Sequence, residues 1–165
     1  MPGDARETIP IGLRFRAVAA AASGVVALSV LVPALERLLP AIAVWIAVAG
    51  YAWIRFDRNR TTEAEAPDAR LGAANAVTLA RGWLLALFAG IVPAAAAPVS
   101  VGVFTCAVAL DGVDGAIARR TRETVLGAGL DGATDALAVL VGSAAAVAHG
   151  SLRAWYLLAG GVWYA

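Results

Sequence analysis

Two neighbouring stretches, Ala109-Leu-Asp111-Gly-Val-Asp114-Gly-Ala-Ile-Ala-Arg119 and Gly127-Ala-Gly-Leu-Asp131-Gly-Ala-Thr-Asp135, decide how this chain folds. Both lie inside apolar runs, yet together they carry four aspartates. Asp111, Asp114, Gly115 and Ala118 recur at i, i+3, i+4 and i+7, and Gly127, Asp131 and Asp135 at i, i+4 and i+8, so each set occupies one face of a helix. The other eight of the twelve acidic residues sit in polar segments and read as solvated charges. An aspartate inside a spanning helix costs roughly 2.5–3.5 kcal/mol on the insertion scale, so four of them demand neutralisation.

The rest of the chain agrees that the solvent is lipid. Of 165 residues, 61% are hydrophobic, and the mean hydropathy is +0.76, above the apolar share of an ordinary globular domain. Six apolar stretches, near 15–35, 38–54, 76–97, 98–118, 125–148 and 152–165, compare with the ~20 residues a spanning helix needs. Pro33 and Pro40 bracket the first connection, and Pro93 and Pro98 mark the third. The expected fold is all-α: a polytopic transmembrane bundle of about six spanning helices. The last run reaches Ala165 after about fourteen residues, ~21 Å of helix, so that helix is expected to be short or truncated and the chain a fragment.

Residues 57–70 are polar and predict a cytoplasmic linker between an N-terminal two-helix membrane hairpin (1–56) and a core (71–165). Arg6, Arg14 and Arg16 before the first run resemble the start of a signal peptide, but the run is too long for one and is read as a retained anchor. The thirteen basic residues are all arginine. With the N-terminus in the cytoplasm, only Arg37 and Arg153 fall outside; the other eleven, Arg81, Arg119, Arg120 and Arg122 among them, fall inside. The expected location is the cell membrane, with the acidic site toward the cytoplasm. A net charge of +1 speaks against nucleic acid as a partner, and the lone Cys106 excludes disulfide and zinc frameworks.

Asp111 lies eight residues before Arg119, and Asp131 about seven after the 120–124 turn. An antiparallel hairpin therefore sets both acidic faces ~10–12 Å from the cytoplasmic end. Four carboxylates at one depth repel strongly in a low dielectric, and two hard divalent cations with oxygen ligands would balance them. A water-filled vestibule or arginine pairing is the plainer account. An EF-hand loop is excluded, because its ligands alternate at every second position.

These residues resemble the CDP-alcohol phosphotransferase signature: Asp, two residues, Asp-Gly, two residues, Ala-Arg, then Gly, three residues, Asp, three residues, Asp. All eight fixed positions occur, with seven residues between Arg119 and Gly127 where the family usually has eight. Upstream, Asn75-Ala-Val-Thr78-Leu-Ala-Arg81 resembles the Asn-x-x-Thr-x-x-Arg element opening the family's first core helix. The resemblance covers 71–165 and implies transfer of a phosphatidyl, or other alcohol-phosphate, group from a CDP-linked lipid donor such as CDP-diacylglycerol to a small alcohol or polyol phosphate. CMP is released, and the setting is phospholipid biosynthesis.

Residue by residue, the resemblance implies that Asp111, Asp114, Asp131 and Asp135 hold Mg2+ or Mn2+, two ions in all, with Asp135 also the general base. Asp111, Gly115, Ala118, Arg119, Asn75, Thr78 and Gly127 would receive the donor's nucleotide end. Arg81 reads as a snorkelling interfacial arginine as easily as a site residue. The expected partners are donor, small polar acceptor and membrane lipids, and the sequence leaves a homodimer open. A competing reading is a divalent-cation or proton transporter that uses the same aspartates.

Overall fold

The computed structural model describes residues 11–32, 34–64, 68, 70–93, 97–120 and 124–158. Five α-helices follow one another: α1 (Ile11–Leu31), α2 (Leu35–Ile54), α3 (Ala73–Ile91), α4 (Ala97–Arg120) and α5 (Val125–Ala148), with 3-10 turns at Phe56–Arg58 and Ala154–Tyr156. The described residues are all-helical and contain no strand. Four segments, Leu35–Ile54, Ala73–Ile91, Ala97–Ile117 and Val125–Ala148, are long and apolar enough to cross a membrane. The apolar part of α1, Arg16–Leu31, is shorter. The expected sixth stretch shows only the 154–156 turn before residues 159–165, which lie outside the described residues.

One boundary differs from expectation. Pro40 lies inside α2 instead of before it. The helix begins at Leu35, so the ring removes the bond that position 40 would make to the Glu36 carbonyl, in an exposed first turn. Pro98, by contrast, sits at the second position of α4, where no intrahelical donor is lost.

α3 is the hub, packing against α4, α2, α5 and α1. On one side Leu85, wholly buried, wedges between Ala107 of α4 and Ala138 of α5. On another, Phe88 and Val92 join Val48 and Ala52 of α2 and Leu130, Leu137 and Val141 of α5 in the main core, with the Phe88 and Phe104 rings 4.9 Å apart. The N-terminal hairpin thus shares a core with the helices that follow it.

α1 is docked by two indoles. Trp45 Nε1 donates to the Ala21 carbonyl at 3.0 Å and Trp83 Nε1 to that of Gly24 at 3.2 Å. A Cβ on Gly24 would lie 2.6 Å from Trp45 Nε1, so only glycine admits the ring. Outside this core Val26, Val30, Ile46 and Val101 are exposed, an apolar exterior of the kind that suits lipid.

Candidate active site

α4 ends, and α3 and α5 begin, at one end of the bundle, and the polar residues of all three gather there. Thr124 caps α5: its Oγ1 accepts from Gly127 N at 3.0 Å, the bond that a Thr at this position makes to the third residue onward. The same oxygen accepts from Asn75 Nδ2 at 3.2 Å, which ties the start of α5 to the start of α3. Asn75 Nδ2 also donates to Asn59 Oδ1 at 3.1 Å. Asn59, fully buried in the linker, turns its own amide to the Asp68 and Arg70 carbonyls at 3.0 and 2.9 Å.

Gly127 fits this knot because it has no side chain. A Cβ there would stand 2.5 Å from Asn75 Oδ1. Replacing Asn59 by alanine leaves Asn75 short of an acceptor and two carbonyls short of a donor. The expected loss is about 1–3 kcal/mol of stability, measured as a lowered Tm in detergent; an unchanged Tm would exclude the knot as a structural tie.

Deeper by about a turn, the acidic residues appear. Thr78 Oγ1 lies 2.9 Å from Asp114 Oδ2 and 3.1 Å from the Ala74 carbonyl, so one hydroxyl proton serves two acceptors. Asp114 and Thr78 are both buried, and a buried carboxylate of this kind needs such a donor. The other three aspartates face one another. One carboxylate oxygen from each of Asp111, Asp131 and Asp135 lies within 4.8 Å of the others, a group able to hold a metal ion. Their side chains are 46%, 45% and 47% exposed, so the cluster forms an open mouth.

Arg81 closes the cluster from behind. Its side chain is 4% exposed. Nη1 lies 2.8 Å from Asp111 Oδ1 and 2.9 Å from Asp131 Oδ1, and Nη2 donates to Asp135 Oδ1. The snorkelling alternative for Arg81 does not hold, because the guanidinium is turned inward to three carboxylates. The sequence alone left it evenly balanced between a snorkelling group and a site residue, although the argument that singled out the aspartates, a charge within an apolar run, applies to it equally. Asn59 was also missed; no periodicity marks it.

The sequence-predicted residues thus fall into groups. Asp111, Asp131 and Asp135 converge on Arg81, while Asp114 pairs with Thr78 beside them. Asn75 and Gly127 belong to the knot above. Gly115 is partly buried on α4. Ala118 and Arg119 lie in the last turn of α4, and their side chains, like Arg122 as a whole, fall outside the described residues.

Chemically, the three convergent carboxylates supply hard, anionic oxygens near enough together to hold a metal ion, and half-exposure leaves room for further ligands from water or substrate. A carboxylate in the same mouth is also able to take a proton from a bound hydroxyl.

Residues 71–163 match the profile of the family described as CDP-alcohol phosphatidyltransferase. No curated protein and no solved structure matches the chain.

Proposed function

The chain belongs to the CDP-alcohol phosphatidyltransferase family, a transferase family, and from that premise we propose that it transfers a phosphatidyl group from a CDP-linked lipid such as CDP-diacylglycerol to the hydroxyl of a small alcohol or polyol phosphate, with release of CMP. The observation that carries this reading is the convergence of Asp111, Asp131 and Asp135 at the mouth of helices long enough to span a bilayer.

In this reading Asp111, Asp114, Asp131 and Asp135 hold Mg2+ or Mn2+, two ions in all. Bound there, the ions neutralise the phosphate oxygens on which charge develops during transfer. Asp111 and Asp131 would hold the ions at the mouth, and ions held there would draw the donor's diphosphate to it. Asp114, kept in place by Thr78, completes the ligand set from the buried side. Asp135 takes the proton of the acceptor hydroxyl as its oxygen attacks the phosphorus that carries the lipid, and the P–O bond to CMP breaks. Gly115, Ala118 and Arg119 receive the nucleotide from α4. Asn75 and Gly127 support it through the cap of α5.

We further propose that about six segments cross the cell membrane, that 1–56 is a hairpin added to the core, and that 57–70 and the site face the cytoplasm. The one-sided distribution of arginine supports that orientation. A soluble acceptor then reaches Asp135 from water while the lipid donor enters sideways.

Purified protein with Mg2+ and CDP-diacylglycerol is expected to release CMP when offered one member of a panel of glycerol phosphate, inositol phosphate, serine and related alcohols. EDTA is expected to abolish the release, and Mn2+ or Mg2+ to restore it. Absence of CMP across the panel, without nucleotide binding, would defeat the proposal; cation flux in vesicles lacking any CDP-donor would instead favour transport.

A further inference from the structure

On the reading that Asp111, Asp131 and Asp135 take divalent cations, we infer that Arg81 is the displaceable counter-cation of that site. Its guanidinium neutralises the carboxylates before an ion enters and leaves them when one does. The guanidinium engages one oxygen of each carboxylate that would ligate: Nη1 is 2.8 Å from Asp111 Oδ1 and 2.9 Å from Asp131 Oδ1, and Nη2 donates to Asp135 Oδ1. Each carboxylate keeps further lone pairs, but a cation at ~2.1 Å from them would stand a few ångströms from the guanidinium, and the two positive charges repel while sharing the same anions. Metal and arginine therefore compete.

The burial pattern gives the competitors separate approaches. Arg81 comes from the bundle interior, at 4% exposure, whereas the carboxylates are about half exposed. The hold on Arg81 is also one-sided. Its Nε is buried with no hydrogen-bond partner among the described residues, and its hydrogen bonds there are those of Nη1 and Nη2 to the aspartates. Once an ion neutralises these carboxylates, a buried guanidinium is left short of anions, and that is costly. The phosphates of a CDP-linked donor supply the replacement, in the planar bidentate geometry that guanidinium suits. Arg81 thereby makes metal binding weak in the absence of nucleotide and couples the two ligands.

The test is a Mn2+ titration followed by electron paramagnetic resonance, with and without CDP, on the full chain in detergent. Wild type is expected to bind Mn2+ weakly alone and more tightly with CDP. Arg81→Gln removes the charge that competes with the ion, so it should bind Mn2+ alone at least about tenfold more tightly, ~1.4 kcal/mol, and gain less from CDP. The half-exposed carboxylates can hydrate in its absence, which lets the variant fold. Arg81→Lys keeps the charge but not the fork, and should fall between the two; it also serves if the glutamine variant does not fold. Mn2+ affinity equal to or below wild type in the folded variant overturns the counter-cation role alone. Failure of wild type to bind Mn2+ with or without CDP overturns the metal reading, and this inference with it.

Discussion

Asp135→Asn is expected to lower CMP release by about 10²–10⁴-fold, the usual contribution of a positioned general base, while CDP binding in the presence of Mn2+ stays measurable. Asparagine has the shape of aspartate, and its side-chain oxygen still accepts from Arg81 Nη2, the contact Asp135 makes. Its site is half exposed, so the change buries no orphaned group. Asp111 and Asp131 keep their oxygens directed at the ion. The proton of the acceptor hydroxyl, however, loses its destination, because an amide does not take it. Turnover and equilibrium binding should therefore separate. A less than tenfold fall in turnover would remove Asp135 from the role of base, and equal losses in binding and turnover would make it chiefly a ligand.

The second large effect is on binding itself. Asp114→Ala is expected to weaken Mn2+-dependent CDP binding by about 10²-fold or more, because it removes a proposed ligand outright. The fold should tolerate it, since Thr78 Oγ1 keeps the Ala74 carbonyl as an acceptor. Thr78→Val is expected to act in the same direction by about 10–100-fold, as loss of a ligand's hydrogen-bond partner usually does. If Thr78 works only by holding Asp114, as their 2.9 Å contact suggests, the double variant should be no worse than Asp114→Ala alone. Additive losses would mean that Thr78 contacts substrate independently, and a mild effect of Asp114→Ala would place the ions on the other three aspartates.

Much of this was readable beforehand because membrane physics makes charge conspicuous. Four aspartates at helical spacing in apolar runs marked α4, α5 and the site together, and Asp111, Asp131 and Asp135 do converge. Thr124 was read only as part of a turn, and its role as the cap of α5 emerged from the geometry. The helical spacing that placed Asp111 and Asp114 on one face could not say which way each carboxylate turns. Helix α3 decides that: it offers a hydroxyl to Asp114 and a guanidinium to Asp111. Pro40 misled because its cost depends on where the helix starts, and α2 starts at Leu35, before the proline.

The sequence by itself determined that the chain is helical and suited to lipid, that its acidic residues form two helix faces, and that those faces lie near one end of the bundle. Each follows from local periodicity and from the penalty for charge in an apolar medium, which act along the chain. Only the tertiary structure decided that α3 stands among the other helices, that Arg81 supplies the positive charge the aspartates require, and that buried Asn59 ties the linker to the starts of α3 and α5. Those facts join residues 16, 49 and 50 positions apart. Periodicity cannot reach across such separations, whereas burial, by requiring every polar group to find a partner, does.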